Sequence, residues 1–588
     1  MLKHASARGL SVLRAAVLFP IILLAAGGRG AAPVVPEDGM PAAPFGESLP
    51  DLDGWATGRW WTEQPEGCPV PLDPPRREVI AFAVYTVDRP ATGDRPATLK
   101  LTAQLFPLKP GEPLEARLEI DDGDGWREVA SSEVHYPGWD AHFRVDDWDP
   151  SRPAAYRVRH GDVATFEGTI RRDPAGQERI TVGVMSCNSS RTPGSREVLV
   201  ANLLETDPDL LFFAGDQTYR HTQHTIGWIE FGLQFRELLR DRPTVTIPDD
   251  HDVGHPNLWG AGGRRSTDKN GADGGYIYPA AYVNMVQRQQ TWHLPDPVDP
   301  RPVAQGITVY FTRLIVGGVD FAILEDRKFK TGPKGAIPQL GPRPDHITDP
   351  GYDRSAIDLE GLSLLGDRQL EWLGRWAEDR RGVRAKAVLS QTAFCGAVHL
   401  HGRPSNRVLA DLDCNGWPQS GRKAALRLID KAAAVHLCGD QHLAVVVQHG
   451  IDHHRDGPYA FTAPALVNTL YGRWWHPEDE QPGDNPVPGS PLPWTGDYED
   501  GLGNKFTMLA YANPGDRSDE TQRADGFGLA VWDFPREVVE FHCYPRFPRR
   551  VAGVPEEFPG WPVIVPAPRQ ASSEAAAAEG PGRGTTAR

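Results

Sequence analysis

Basic charge is in short supply in this chain. Its 588 residues carry 62 Lys and Arg against 78 Asp and Glu, a formal net charge of -16. Such a surface repels a polyanion except at local basic or metallated spots, which argues against a general nucleic-acid binder. Cysteine is also sparse. Cys68, Cys187, Cys395, Cys414, Cys438 and Cys543 include no CxxC pair, and a zinc-finger fold is excluded. There is no GxSxG elbow, and Ser186, Ser189 and Ser190 have no neighbouring base, so a serine-hydrolase mechanism has little support. No Walker loop and no GxGxxG turn stand out, and there is no internal repeat. After the N-terminal segment no further long apolar run appears.

What is present is enough apolar side chain, 40% hydrophobic and 9% aromatic, for at least one large buried core. The first residues read as a signal peptide: Lys3, Arg8 and Arg14 precede an apolar run at 15–26, and small residues follow it. That run is short of the roughly 20 residues that cross a bilayer, so residues 1–32 are expected to be removed on export rather than kept as an anchor. The mature protein is then secreted or periplasmic, where disulfides form, and Cys395 with Cys414 is one candidate pair. Residues 33–77, rich in Pro, Gly and Trp, read as an ordered lead-in or linker. Over 78–175, alternating stretches such as VIAFAVYTV, LKLTAQLF, EARLEI and AYRVRH predict short antiparallel strands and a small all-β sandwich. From 179 to 545 strands alternate with helices in a βαβ rhythm, which predicts an α/β domain. The helical segments read REVLVANLLET, IEFGLQFRELLRD and GDRQLEWLGRWAEDR. Residues 569–588 hold no large apolar side chain and are expected to be disordered.

Polar residues collect at the ends of these predicted strands. Cys187 ends one, Asp216 the next, Asp250 with His251 a third, and Asp440 with His442 a later one. One acidic residue after a strand is an ordinary turn former. Several in register, at the sheet edge where α/β proteins bind ligands, supply the converging oxygen, nitrogen and sulfur donors that a cation cluster needs. Read singly, Cys187 is an inert core cysteine and Tyr219 a packing aromatic.

The motifs GDQTY at 215–219, PDDHD at 248–252 and GDQH at 439–442, with SCNSS at 186–190, resemble those of metallophosphoesterases. Asp250-His251 in place of Asn-His, with Tyr219 after Asp216, matches the PhoD-like alkaline phosphatase family over roughly 78–543. The resemblance implies a four-layer α/β/β/α metallophosphoesterase domain preceded by the small all-β sandwich. It implies Fe(III) held by Cys187, Asp216 and Tyr219, and Ca(II) held by ligands among Asp250, Asn257, Asp440 and His442, although other divalent metals suit such donors. His255 is the alternative to Asn257. His251 remains for catalysis, either as the acid that protonates the leaving group or as a neighbour that orients Asp250.

The implied activity is hydrolysis of phosphate mono- or diesters by an exported protein, expected to be a monomer with no stable membrane anchor and no main role in nucleic-acid binding. A rival of another class is a surface-polymer-binding or envelope-structural protein whose α/β domain is catalytically silent. A metallo-nuclease would use the same site but needs a basic groove. Arg327 and Lys328, which follow the strand VDFAIL, read as solvated charges, and His399 and His401 as weak evidence for a pocket.

Overall fold

The computed structural model describes residues 33–567 apart from 63–64, 91, 93–94, 193–195, 399, 402–407, 469–471, 475–481 and 514–523. The expected leader, tail and His399 lie outside the described residues. Seven strands occupy the first part: β1 (Ile80–Asp88), β2 (Ala97–Leu105), β3 (Glu115–Asp121), β4 (Arg127–His135), β5 (Asp140–Trp148), β6 (Ala154–His160) and β7 (Ala164–Ile170). They pair antiparallel in the order β1-β2-β5-β4-β3-β6-β7. In β3 the alternation is clean, with Ala116, Leu118 and Ile120 buried, as a half-buried strand requires. β4 pairs with β3 along its length but with β5 only at Val134 and His135.

β1 is buried on both faces because helices pack on its back. The helix His224–Gln234 sets Trp228 edge-on to Phe82 with centroids 5.3 Å apart. Gly232 permits that approach, since a Cβ there would lie 2.0 Å from the Phe82 ring. The segment IEFGLQFRELLRD does not form one helix. It breaks at Phe235, whose φ of -110° leaves the helical region, where the ring packs against Phe213 and Phe231; a short helix, Arg236–Leu239, follows.

Two further sheets form a mixed α/β body. In the first, β8 (Arg179–Asn188), β9 (Leu210–Phe213) and β10 (Thr244–Thr246) run parallel. Gly526–Asp533, Val538–Pro545 and Val563–Pro566 extend it antiparallel beyond β8, so this sheet continues past residue 545. The second has eight strands, with Val319–Ile323, Ala385–Thr392, Ala434–Gly439 and Tyr459–Thr462 parallel at its centre. Apolar side chains of both sheets meet in one core that includes Val182, Val184, Leu210 and Phe212 on one side and Phe321, Leu389 and Leu437 on the other. The outer face of the second sheet is covered by the helices Asp367–Glu378 and Gln419–Lys431 through Trp372, Leu373, Leu426 and Ile429. Among the described residues no helix is long and apolar enough to cross a membrane, and all six cysteines are free. Cys395 and Cys414 are therefore not the disulfide the sequence offered; each is a buried thiol.

Phe321 is fully buried between the sheets and packs edge-on to Trp532 at 5.9 Å. Phe321→Ala leaves a cavity there and is expected to cost about 3–5 kcal/mol. Denaturant or thermal unfolding measures this, and an unchanged midpoint would contradict the packing described.

Candidate metal centre

Left-handed backbone brings the strand ends together. Cys187 has φ 58°, Asp216 φ 59°, Asp440 φ 70° and His442 φ 53°, a conformation that costs roughly 1–3 kcal/mol for residues other than glycine. Each turns its chain back toward the sheet edge. Gly439 closes the gap between the sheets, since a Cβ there would fall 2.2 Å from the Ser186 side chain. Ser186 in turn accepts the Asp440 N–H at 2.9 Å. The acidic loops are tied by Asp252, whose carboxylate accepts the N–H groups of Asp216 at 2.8 Å, Asp249 at 3.0 Å and Thr218 at 3.2 Å.

The residues read from the sequence converge. Cys187 Sγ lies 3.8 Å from Asp216 Oδ2, and the Tyr219 hydroxyl lies 3.1 Å from His442 Nε2. Cys187, Asp216 and His442 form one group with ligand atoms within 4.8 Å of one another; Asp216, Asp250 and His251 form a second, Asp249, Asp250 and Asp440 a third, and Asp345, His346 and Asp411 a fourth. The Asp250 Oδ1 atom is buried with no hydrogen-bond partner, as a ligand oxygen waiting for a cation would be. This donor set fits a cluster of hard cations with a thiolate ligand. His251 stacks near Tyr219 at 4.1 Å and holds its Nδ1 2.5 Å from His221 Nε2. Asn257 stands on the wall of the same cleft, where its amide donates to Asp345 at 2.9 Å. His255 instead accepts the Ile277 N–H at 3.1 Å and does not line the cleft. The cleft, about 280 Å³, also presents Arg191, His221, Arg343, His346 and Gln441.

Sequence reasoning missed several members. Asp249 and Asp252 flank the recognised pair within PDDHD, and Asp413 belongs to a loop with no motif. Asn468 follows the Ala465–Val467 strand and reaches the Tyr219 hydroxyl at 2.7 Å and His442 Nε2 at 2.9 Å. Arg327 and Lys328, expected in solvent, are both buried. Arg327 pairs with Asp249, Asp413 and Asp440, and Lys328 with Glu325. A charged run after a strand looks solvated unless acidic partners from distant loops are known.

No protein-family model and no curated protein matches this sequence. Solved structures do match. That of PhoD aligns over 84% of this chain and 90% of its own, at 12% identity and TM-score 0.55. This fold is similar to that of PhoD. Purple acid phosphatase PPD1 from yellow lupin (Lupinus luteus) seeds aligns over 79% of this chain and 72% of its own, at 12% identity and TM-score 0.47. A dimetal phosphatase from Danio rerio aligns over 66% of this chain and 99% of its own, at 9% identity and TM-score 0.34. In this fold the candidate centre lies where strand ends of both central sheets meet, the sheet edge at which α/β folds place ligands.

Burial dominates the electrostatics. It pushes the Cys187 thiol well above its usual range, helped by Asp216 and Asp440. It raises Asp216 and Asp250 far above ordinary carboxylates, with neighbouring carboxylates adding to both. It lowers His251 well below an ordinary imidazole, with His221 second. Asp252 and Asp413 are raised from 3.8 to about 7, again by burial first. A carboxyl whose folded pKa lies above its unfolded value stabilises the fold while protonated and loses that contribution as pH rises through the folded value. Metal-stripped protein is thus expected to lose thermal stability between about pH 4 and pH 7, and bound cations to remove most of the loss. Melting curves of stripped and metal-loaded protein across that window check this; a stripped protein that gains stability as pH rises would overturn it.

Proposed function

We propose that the chain is a metal-dependent phosphoric ester hydrolase of the PhoD-like alkaline phosphatase type, acting on phosphate mono- or diesters. The observation that carries the reading is the convergence of Cys187, Asp216, Tyr219, Asp250 and His442, of which Asp216, Asp250 and His442 line an open cleft, with the buried Asp250 Oδ1 left without a donor. The similarity to the PhoD fold supports it. The finer arrangement we assign is a small all-β sandwich at 78–175 followed by a four-layer α/β/β/α catalytic body. The basic and apolar leader supports export, so the substrate is an extracytoplasmic phosphate ester met by a monomeric enzyme.

Cys187, Asp216 and Tyr219 suit Fe(III), and Asp250 and His442 are among the donors for Ca(II). When bound, such cations polarise the phosphoryl oxygens and lower the pKa of a coordinated water toward 7. The protein supplies the rest. With Nδ1 engaged by His221, His251 has Nε2 left to meet the leaving-group oxygen and give it a proton. Asp252 keeps the loops of Asp216 and Asp250 in register through their backbone N–H groups.

The test separates ligand from acid. Asp250→Asn is expected to lower metal content and turnover together. His251→Ala is expected to retain metal and lose about 100- to 10,000-fold in kcat/KM, the usual contribution of a general acid. The loss should be smaller for a nitrophenyl ester than for an alkyl ester, since a good leaving group needs little protonation. Equal losses across leaving groups would assign His251 to phosphoryl-oxygen stabilisation. Activity that survives exhaustive chelation would remove the metal-dependent reading.

A further inference from the structure

The loop leaving the Val319–Ile323 strand carries a positive charge into the middle of the acidic cluster. Its path is fixed on both sides of that charge. Leu324 donates its N–H to Leu389 O at 2.9 Å, and the Asp326 carboxylate accepts the Thr392 N–H at 3.0 Å and the Asn415 amide at 2.5 Å. Arg327 follows, with only 2% of its side chain exposed. All three nitrogens of its guanidinium meet carboxylate oxygens. Nε donates to Asp249 Oδ1 at 2.6 Å and Nη2 to Asp249 Oδ2 at 3.1 Å. Nη2 also lies 2.8 Å from Asp440 Oδ1. Nη1 donates to Asp413 Oδ1 at 2.7 Å and to Asp413 O at 3.2 Å.

These contacts engage the oxygens that a metal in the third group would need. Asp249, Asp250 and Asp440 bring ligand atoms within 4.8 Å of one another. Yet both oxygens of Asp249 face Arg327, and those of Asp440 face Arg327 and the Gln441 amide at 2.6 Å. Of the three, Asp250 keeps a buried oxygen with no donor. A calcium ion at about 2.3–2.6 Å from the Asp249 and Asp440 oxygens would share them with the guanidinium and be repelled by its charge. The guanidinium is planar, permanently charged and matched to paired carboxylates, so it holds such a place without needing to be loaded.

We infer that Arg327 is a built-in cation that stands where a third metal ion would otherwise bind. The centre then takes two metal ions, one at Cys187 and Asp216 and one at the Asp250 oxygen that has no donor. Asp440 is an ion-pair partner of Arg327 rather than a metal ligand, and Arg327 is a positioning residue that holds Asp249, Asp413 and Asp440. This rests on the metal-dependent reading of the same centre and deepens it.

The experiment counts metals. Full-length protein is loaded with ferric iron and calcium, dialysed and measured by elemental analysis per chain, alongside hydrolysis of a nitrophenyl phosphate ester. Wild type is expected to hold two ions. Asp249→Asn, which removes a partner of Arg327 and a ligand of neither ion, is expected to keep two. Arg327→Ser frees the space and the carboxylates, and is expected to take up a third ion as calcium with turnover reduced at least tenfold. Three ions in active wild type, loss of an ion in Asp249→Asn, or unchanged calcium content and turnover in Arg327→Ser would each overturn the inference. Should Arg327→Ser fail to fold, the wild-type and Asp249→Asn counts decide it. Active wild type with three ions would sink this inference alone, whereas wild type with neither metal nor hydrolysis would sink the metal-dependent reading with it.

Discussion

Asp216, Asp249, Asp250, Asp252 and Asp413 are all buried within one set of neighbouring loops, and like charges that close in a water-poor interior ionise together only with cations between them. Much of the surrounding structure answers that requirement. Arg327 supplies one fixed positive charge, Asp252 is held by three backbone N–H groups, and the undonated oxygen of Asp250 marks where mobile cations are needed. Without compensation the carboxyls hold protons, which is what their raised proton affinities express.

The two central sheets serve this arrangement by bringing distant parts of the chain to one edge. Cys187 and Asp440 are 253 residues apart in sequence, yet the Cys187 sulfur lies 3.7 Å from the Asp440 carbonyl. The interlocked core of the sheets fixes their ends to within the tolerance that metal ligands and a proton donor need. Strain at the left-handed residues Cys187, Asp216, Asp440 and His442 is carried by that packing, and it aims their side chains at one another.

The lead-in segment belongs to the same scheme. Phe45 and Leu52 pack with Val253, Tyr276 and Tyr282, Asp53 donates its N–H to Thr222 O at 2.6 Å, and the Tyr282 hydroxyl donates to His221 O at 2.9 Å. Residues ahead of the first sheet therefore brace the loops that present His221 and His251. A stretch rich in Pro, Gly and Trp shows no period by which to read such a role, because its contacts are made one residue at a time with loops far along the chain.

The sequence by itself determined the local features: antiparallel strands before parallel ones, the amphipathic helix at 367–378, and the polar residues that end the strands. Period, turn residues and short motifs are local, and so they are legible. Cys187, Asp216, Asp250 and His442 were legible as polar residues that end predicted strands, whereas Tyr219 joined them only through the resemblance of GDQTY to the PhoD-like motif. Tertiary structure alone decided that Arg327 is buried among Asp249, Asp413 and Asp440, that Asn468 joins Tyr219 and His442, that Asn257 turns to Asp345, and that Cys395 and Cys414 stay apart. Each of these depends on which distant loops meet. The environment of a charged or thiol side chain is set by partners far away in sequence, and only the packing of the two sheets brings them within reach.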